Sequence, residues 1–296
     1  MNSSITKLLG TLELLYYGNS FVWETETQGE LNLWKLMSNF VNPTDIELVF
    51  EHWQNIETWG TPTNQALNDY EYAPPRSQRK NNHWNEEIEN QRKEYYQELQ
   101  KLVETNLNNI QAYNLRDYRD DEHCFEWEHP DFSVSIIIAQ TKDNRWFCLA
   151  PTVPNQVNYF WNRKTNLQNP VIQAPNAEIE AILTKLTPIE NYGYYYGGYR
   201  ETYQYYIVST MGDSREEVFT TALQAANMVT VEELINYNSS DCHNNPELQQ
   251  FIKQNLQSNT RYSIGFWDIG YTYEVGQTPE DDWIGIMSEY EFEYNP

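Results

Sequence analysis

The stretch that decides how the chain is organised is AQTKDNRWFCLAP, residues 139–151, together with its later counterpart GQTPEDDWIGIMS, residues 276–288. Both contain a Gln-Thr pair, then a polar run, and then a tryptophan at the same spacing, Trp146 in the first and Trp283 in the second. Apolar residues flank the polar run on both sides. This pattern predicts a β-hairpin in each stretch, with the second strand beginning at the tryptophan.

Two stretches upstream of these hairpins match in the same way. ELQKLVETNLNN, residues 98–109, corresponds to ELQQFIKQNLQS, residues 247–258, and Pro246 immediately precedes the second. Apolar residues recur at helical spacing in both, so that each stretch presents one apolar face. The residues on these faces are Leu99, Leu102, Val103 and Leu107, and Leu248, Phe251, Ile252 and Leu256. Two amphipathic helices are therefore predicted, and Pro246 fits the first turn of the second, where its missing N–H costs little.

A third match lies near the start of each half. TKLLGTLELL, residues 6–15, resembles EAILTKLTPI, residues 180–189. Each predicted helix leads into an aromatic-rich strand region, SFVWETETQGELNLW at residues 20–34 and YYYGGYRETYQYYIV at residues 194–208. The three matches occur in the same order in both halves, which indicates an internal repeat. The separation between matching residues decreases along the chain, so the second copy is predicted to have shorter loops.

The matches predict two tandem copies of one α+β domain. Each copy runs through a helix, strands, a variable middle, a long helix and a hairpin, and such separate runs are typical of layered α+β domains. The first domain is predicted at residues 1–153 and the second at residues 177–296. Residues 154–176 contain several Pro and Asn, and they are predicted to be a linker.

Composition places the chain among acidic globular proteins. Of its 296 residues, 40% are apolar and 15% are aromatic, and the formal net charge is −24. This charge repels phosphates and anionic membranes, so neither direct nucleic-acid binding nor membrane binding is expected. Solubility alone explains such a charge in most acidic proteins, and attraction to a basic protein partner is the second interpretation. The 23 Tyr and 10 Trp support a partner, because these residues are enriched at interface hot spots.

The three cysteines are widely spaced and form no CxxC pair, which indicates a reducing compartment and not a disulfide scaffold. No run approaches the ~18 apolar residues that a membrane helix needs. The N-terminus also lacks a basic segment followed by an apolar one. A soluble, cytoplasmic protein is therefore predicted.

Four segments of the first half resemble the nuclease A inhibitor family, small acidic proteins that block a sugar-nonspecific, metal-dependent nuclease. The segments are SFVWETETQGELNLW, HWNEEIEN at residues 83–90, ELQKLVETNLNNIQAYNL at residues 98–115, and the hairpin with AQTKDNRW. In the second half ANMVTVEELINY, the helix at residues 247–258 and YEVGQTPEDDWIGI are similar to the same family. The resemblance covers much of both halves, and the order and spacing of the segments support it.

The resemblance implies an α-β-α sandwich for each copy and a function as a plug for a nuclease active site. In that family a glutamate after the first strand, a tryptophan before the long helix and the terminal carboxylate approach the catalytic metal. Motif matching places Glu24 at the glutamate position, with Glu26 close behind it, and Trp84 at the tryptophan position. In the second copy Gly198 is matched to the glutamate, and the first copy has no free carboxylate because the chain continues past Pro154.

An acidic insertion, RDYRDDEHCFEWEHPD at residues 116–131, occurs only in the first half. A solvated loop is the favoured interpretation of this insertion, and a loop that docks into a basic cleft is the alternative, which the acidic groups beside aromatic side chains suit. Four of its residues are predicted to bind the partner: Asp120, Asp121, Glu122 and Trp127. His123 and His129 have a spacing that zinc sites use, but no companion pair is visible, so no metal site is predicted.

No motif in the chain indicates catalysis. GxSxG, the P-loop and a GxGxxG before a helix do not occur, and among 43 acidic residues chance carboxylate pairs carry no signal. The sequence therefore predicts no catalytic residue and no cofactor, but a protein that binds and occludes a basic partner. The alternative is a non-inhibitory peptide- or glycan-binding module that uses the Tyr-rich run at residues 192–206. A strand pair that buries alternate Tyr residues is the favoured interpretation of that run.

Overall fold

The structure is a computed structural model that describes residues 3–59, 85–116, 133–153, 170–195, 199–234, 245–266 and 269–291. These residues form a mixed α+β protein, as the sequence predicts. Its helices are α1 (Ser3–Leu15), α2 (Thr25–Gln28), α3 (Leu33–Leu36), α4 (Ile46–Trp59), α5 (Glu86–Asn106), α6 (Ala177–Lys185), α7 (Arg215–Ala225) and α8 (Pro246–Asn255). Its strands are β1 (Asn19–Trp23), β2 (Val41–Thr44), β3 (Asn108–Leu115), β4 (Val134–Gln140), β5 (Trp146–Pro151), β6 (Ile189–Tyr195), β7 (Tyr199–Tyr205), β8 (Ile207–Gly212), β9 (Val229–Glu233), β10 (Gln257–Phe266), β11 (Ile269–Gln277) and β12 (Trp283–Glu291). In the described ranges no helix combines the length and the apolar character that crossing a bilayer requires.

The chain forms two compact units. Unit 1 combines Met1–Leu36 with Val229–Gly265 and Ile269–Glu291. Its sheet has the strand order β1-β12-β11-β10-β9, in which β1 comes from the first part of the chain and the other strands come from the last part. β1 runs antiparallel to β12, with Trp23 opposite Trp283.

An apolar core holds the two parts of unit 1 together. It lies between the sheet and helices α1 and α8, whose apolar residues recur at helical spacing. Its buried residues are Ile5, Leu12, Leu248, Phe251, Ile252, Leu256, Ile284 and Ile286. Burial of each such side chain contributes roughly 1.5–3 kcal/mol, so this core fixes α1 to the last part of the chain.

Unit 2 consists mainly of Met37–Met228. Its sheet has the strand order β2-β3-β4-β5-β8, and β8 runs antiparallel to β5 with Gly212 opposite Trp146. The edge strand on β5 therefore comes from the second half of the chain, whereas the other four strands come from the first half. β6 and β7 pair only with each other in a separate two-stranded sheet.

Helices lie on both faces of the five-stranded sheet of unit 2. On one face α4, α5 and α6 share a core with Phe147, Leu149 and Ile207 of the sheet. Side chains alternate between the faces along a strand, so Thr210 points to the opposite face. There its hydroxyl donates a hydrogen bond to the carbonyl oxygen of Val218 in α7, at 3.1 Å.

The structure confirms the two predicted hairpins. β5 begins at Trp146 and β12 begins at Trp283, as expected from the sequence. The turns before these strands have the same geometry. The N–H of Thr141 donates to the carbonyl oxygen of Arg145 at 2.8 Å, and the N–H of Thr278 donates to that of Asp282 at 2.7 Å.

The two long amphipathic helices are also confirmed. α5 begins earlier than the matched stretch, because the side chain of Asn85 caps its first turn by accepting the N–H of the third helical residue. Pro246 occupies the first turn of α8, as predicted. The helices end at the equivalent residues Asn106 and Asn255. Their predicted apolar faces are buried, apart from Leu102, which is partly buried.

The compact units differ from the predicted division into residues 1–153 and 177–296. The physical reason is the pairing of the first strand in each half. β1 pairs with β12, the last strand of the second half, and β8 pairs with β5, the last strand of the first half. The first strand of each half thus completes the sheet that contains the other half's hairpin. Part of the predicted linker, residues 154–169, lies outside the described residues.

The strand of the second half that pairs as β1 does is not the one expected from the sequence, which matches Gly198 to Glu24. Both β1 and β8 lie beside the second strand of a hairpin, and their ends face Trp283 and Trp146 respectively. β8 is therefore the counterpart of β1, and it follows the Tyr-rich run. β6 and β7 form an additional hairpin between α6 and β8. The second half is thus longer at this point, contrary to the prediction of shorter loops.

The Tyr-rich run at residues 192–206 forms a strand pair, in agreement with the favoured interpretation. β6 and β7 are antiparallel, with Ile189 opposite Tyr205. Tyr205 is buried in the core of unit 2, and its hydroxyl lies 3.4 Å from the carbonyl oxygen of Trp53. The burial of alternate Tyr residues elsewhere in the run stays a prediction.

Candidate functional site

Two of the seven predicted partner-binding residues, Glu24 and Glu26, belong to the described part of the chain. Glu24 follows β1 directly and is half-buried, and Glu26 is exposed in α2. The other five lie outside the described residues: Trp84, Asp120, Asp121, Glu122 and Trp127. Gly198, which was matched to the glutamate in the second half, also lies outside. By strand pairing, the residue that follows β8 as Glu24 follows β1 is Asp213.

Local hydrogen bonds fix the backbone at Glu24. Its N–H donates to the side-chain oxygen Oε1 of Gln28 at 2.8 Å, and its carbonyl oxygen accepts the N–H of Gln28 at 2.8 Å. Just before it, the indole N–H of Trp23 donates to the carbonyl oxygen of Gly29 at 2.7 Å. The short helix α2 is therefore folded back against the end of β1.

A second set of contacts ties α2 to the turn between β11 and β12. The N–H of Thr25 donates to Oδ1 of Asp282 at 2.7 Å, and the hydroxyl of Thr25 donates to the carbonyl oxygen of Asp281 at 2.7 Å. The Asp282 side chain is available for this contact because the turn directs it inward, and only 9% of Asp282 is exposed. Asp281 has φ +65°, a left-handed conformation that Asp tolerates better than most residues.

A third contact closes the end of α2. The ammonium group of Lys35 donates to the carbonyl oxygens of Gln28 and Glu30, at 2.9 and 3.0 Å. Gly29 lies between them with φ +72°, and a Cβ there would come within 2.7 Å of the Lys35 Nζ. A cation at the C-terminal end of a helix is favourable, because it neutralises the carbonyl groups that the helix leaves unpaired.

These contacts gather carboxylates from two distant parts of the chain into one region of unit 1. We call this region the acidic corner, and its carboxylates are Glu24, Glu26, Glu280, Asp281 and Asp282. The two segments that form it, residues 24–28 and 278–283, contain no Lys or Arg, and the ammonium group of Lys35 borders them at Gln28, so five carboxylates face one neighbouring cation. The acidic corner is therefore a region of strong negative potential on a rigid backbone.

The equivalent region of unit 2 begins with the same type of hydrogen bond but carries a different charge. The N–H of Asp213 donates to Oε2 of Glu217 at 2.8 Å, as that of Glu24 does to Gln28. Here the hairpin turn contributes cations, and Arg145 Nε lies 3.8 Å from Oδ1 of Asp213. Residues 141–146 and 213–217 together contain four carboxylates, two Arg and one Lys. Of the two equivalent regions, only that of unit 1 therefore concentrates negative charge.

The turn of unit 2 engages its own carboxylate in a local hydrogen bond. The hydroxyl of Thr141 donates a hydrogen bond to Oδ1 of Asp143. This hydrogen bond lowers the pKa of Asp143, with a smaller contribution from the nearby charge of Arg145. The Asp143 carboxylate is therefore engaged in a hydrogen bond within its own turn.

Sequence reasoning identified Glu24 and Glu26 but missed the contribution of the hairpin. The motif GQTPEDDW is evident in the sequence, but the predicted division assigns it to a separate domain from Glu24. One signal distinguishes the two turns: Lys142 and Arg145 of the first hairpin are replaced by Pro279 and Asp282 in the second. This loss of two cations is visible in the amino-acid sequence itself.

A buried ionic cluster lies in unit 2, between α4 and α5. Glu57 accepts hydrogen bonds from Nε and Nη2 of Arg92, at 2.7 and 2.6 Å, and from the hydroxyl of Tyr96, at 2.6 Å. Burial alone would lower the pKa of Arg92, but the hydrogen bonds and charge of Glu57 outweigh it and raise the pKa above its ordinary value. Glu57 of α4 thus binds both Arg92 and Tyr96 of α5, so the cluster joins the two helices.

The described residues contain no group of three or more His, Cys, Asp and Glu side chains that could hold a metal ion. His123 and His129, whose spacing resembles that of zinc ligands, lie outside the described residues.

The fold and the site define a mixed α+β protein with two five-stranded antiparallel sheets, one of which carries the acidic corner. Comparison of the chain with protein-family models gives no match, and comparisons with curated proteins and with solved structures give none either.

Proposed function

We propose that the chain is a protein-binding protein of the nuclease-inhibitor type, and that its acidic corner occludes the active site of a basic, metal-dependent nuclease or a similar partner. The resemblance of SFVWETETQGELNLW to the nuclease A inhibitor family supports this proposal, because it places Glu24 at the position of the family's contact glutamate. As an inhibitor, the protein would have no catalytic activity of its own.

We further propose that the two halves are diverged copies of one α-β-α sandwich domain that have exchanged their first helix and strand. The register of β1 on β12 supports this proposal, because it is the same as the register of β8 on β5. Relative to the tryptophan of each hairpin, Ser20 of β1 and Ser209 of β8 occupy the same position, opposite Ile286 and Leu149. The opposite edges of the two five-stranded sheets are also alike, since β2 runs antiparallel to β3 and β9 runs antiparallel to β10.

The observation that supports the inhibitor proposal most strongly is the way Thr25 joins the acidic corner. Its two hydrogen bonds to Asp281 and Asp282 hold Glu24 and Glu26 beside three further carboxylates on a fixed backbone. A rigid contact surface avoids the entropy that a flexible loop loses on binding. Fixed like charges of this density attract a basic surface and speed its association.

A nuclease-binding assay tests the proposal. The probe is a purified basic, sugar-nonspecific, metal-dependent nuclease, and the readouts are inhibition of DNA cleavage and association kinetics. We expect Glu24→Gln together with Glu26→Gln to slow association about tenfold at low salt. Rising ionic strength should reduce the wild-type association rate more steeply than that of the variant.

The matched control is the equivalent change in unit 2, Asp213→Asn together with Glu216→Gln. It removes the same formal charge from a region in which cations are interspersed. We expect this control to leave association within about twofold of the wild type, since a general effect of net charge is screened over a Debye length of about 10 Å. Equal effects of the two double substitutions would contradict a specific role of the acidic corner.

A further inference from the structure

The outer edge of β8 in unit 2 is covered by a short segment, Val171–Gln173, which we call the strap. Ser209 is the centre of this contact. Its N–H donates to the carbonyl oxygen of Val171 at 2.9 Å, and its carbonyl oxygen accepts the N–H of Gln173 at 3.0 Å. The strap runs parallel to β8, and the side-chain oxygen of Gln173 also accepts the N–H of Met211 at 2.8 Å.

The edge of β1 in unit 1 has the same backbone geometry. Ser209 lies opposite Leu149 and points its backbone groups away from β5, toward the strap. Ser20 lies opposite Ile286, the residue equivalent to Leu149 in a hairpin of the same register. Because backbone groups alternate in direction along an antiparallel strand, Ser20 and Val22 point theirs away from β12. No segment within the described ranges pairs with this edge.

The other edges of the two five-stranded sheets each have a feature that discourages further pairing. β2 contains Pro43, which has no N–H to offer to a further strand. β9 ends with the exposed Glu233, a charged residue that discourages pairing. β8 has the strap. β1 has none of these among the described residues: its sequence NSFVW contains no Pro or charged residue, and Phe21, Val22 and Trp23 favour β structure.

The surroundings of β1 indicate the charge of a segment that would fit there. Near its start, Glu13 of α1 accepts a hydrogen bond from the hydroxyl of Ser20 at 3.2 Å. At its other end β1 leads directly into Glu24 and the acidic corner. An extended segment along this edge would therefore have carboxylates at both ends, which favours Lys or Arg on either side of its central residues.

We propose that the outer edge of β1 binds an extended, basic segment of the partner protein, which adds to the sheet as a parallel sixth strand. The pattern is that of the strap: a carbonyl oxygen of the segment accepts the Ser20 N–H, and the N–H two residues later donates to the Ser20 carbonyl oxygen. This mode gives main-chain hydrogen bonds, and the flanking charges give selectivity. The inference rests on the proposed function in so far as the partner is a basic protein.

The test uses two probes on the full chain. The first is a synthetic peptide that carries the residues of the strap, Val-Ile-Gln, between two Lys on each side. The second is the nuclease of the binding assay above. With isotope-labelled protein, the peptide is expected to shift the amide signals of Ser20 and Val22 and to slow their hydrogen exchange at least fivefold. Peptide-induced changes elsewhere, or none at millimolar peptide, would overturn the proposal.

Substitution of Ser20 separates strand addition from simple charge attraction. Ser20→Pro removes the outward N–H without removing a hydrogen bond to β12, and Ser20→Ala keeps the N–H as the matched control. We expect Ser20→Pro to weaken peptide and nuclease binding at least tenfold, and Ser20→Ala to leave both within about twofold. If Ser20→Pro does not fold, the effect of the peptide on hydrogen exchange at Ser20 and Val22 of the wild type decides whether the segment adds as a strand.

The two proposals fail in different ways. If the nuclease loses binding with the Glu24 and Glu26 substitutions but not with Ser20→Pro, strand addition is refuted and the acidic corner stands. If the wild-type chain does not bind the nuclease, the inhibitor proposal is refuted, and the peptide experiment alone decides whether the β1 edge accepts a basic strand.

Discussion

Asp282 holds the acidic corner together, and its substitution should loosen α2 by a predictable amount. Its carboxylate accepts the N–H of Thr25 at 2.7 Å, whereas the neighbouring Asp281 contributes only its backbone carbonyl to the Thr25 hydroxyl. Asp282→Asn keeps an acceptor oxygen but removes the charge. Asp282→Ala removes the acceptor as well. Comparison of the two variants therefore separates the contribution of the charge from that of the hydrogen bond itself.

The magnitude follows from the nature of the hydrogen bond. A hydrogen bond to a charged group contributes about 1.5–3 kcal/mol, and a neutral one contributes about 0.5–1.5 kcal/mol. Asp282→Ala should therefore reduce the local free energy of opening at Thr25 by about 1.5–3 kcal/mol. Asp282→Asn should reduce it by roughly 1 kcal/mol, the difference between the two kinds of hydrogen bond. The hydroxyl of Thr25 still bonds to the backbone in both variants, so α2 should stay folded.

Hydrogen exchange of the Thr25 amide measures this opening directly. Because 1.4 kcal/mol corresponds to a factor of ten, exchange should accelerate about ten- to hundredfold in Asp282→Ala and about fivefold in Asp282→Asn. Glu280→Gln is the control, since it removes an exposed carboxylate of the same turn and should leave the Thr25 amide unchanged. If Asp282→Ala leaves this amide as protected as in the wild type, the turn does not anchor α2 and the rigid acidic corner is refuted.

Three further changes probe the rest of the fold by denaturant unfolding. Arg92→Met should destabilise unit 2 by about 3–5 kcal/mol because it leaves the Glu57 carboxylate buried without its cation, and adding Glu57→Leu should recover much of this loss. Gly285→Ala should destabilise unit 1 by about 1–3 kcal/mol, since a Cβ there would clash with the backbone carbonyl oxygen of Glu274. Burial raises the pKa of Tyr96 above its ordinary 10.0 and that of Cys148 above its ordinary 9.0, so folding favours their protonated forms. Below pH 9 neither group changes the free energy of unfolding. The free energy of unfolding should fall by about 1.4 kcal/mol per pH unit above pH 9 because of Cys148, and by about as much again above pH 10 because of Tyr96, since the unfolded state releases each proton first.

The sequence predicts the local elements of this fold well because their signals are local. The polar turns before Trp146 and Trp283 predict hairpins whose second strands begin at those residues, as observed. The spacing of Leu99 and Val103, and of Leu248 and Ile252, predicts the buried faces of the two long helices. Hydrophobic periodicity determines which face of an element is buried, and it needs no knowledge of the partner.

The pairing of β1 with β12, and of β8 with β5, could not be predicted in this way. β5 and β12 offer edges of the same register, so a strand such as β1 has two equivalent places to pair. Local pattern does not distinguish between them. The choice depends on how the connecting chain reaches each edge, which is a long-range property.

The acidic corner was only half predictable for the same reason. Glu24 and Glu26 were found from a motif, whereas Asp281 and Asp282 join them only because β1 lies beside β12. The pairing also explains why Gly198 was matched to Glu24. β6 and β7 lie between α6 and β8, so the strand that pairs as β1 does comes later in the sequence than the segment around Gly198.

The pairing of β1 with β12 is tested most directly by an engineered disulfide. Ser20 and Ile286 lie opposite each other in the position that Ser209 and Leu149 occupy in unit 2, where Ser209 directs its backbone groups away from β5. Pairs that exchange no backbone hydrogen bonds have Cα atoms about 4.5 Å apart, within the range of a disulfide. In a background without the three native cysteines, Ser20→Cys with Ile286→Cys should form an intramolecular disulfide, identified by mass spectrometry of proteolytic fragments. Ser20→Cys with Leu149→Cys should stay reduced. A disulfide in the second variant and none in the first would show that β1 pairs within its own half, and the acidic corner would then not exist.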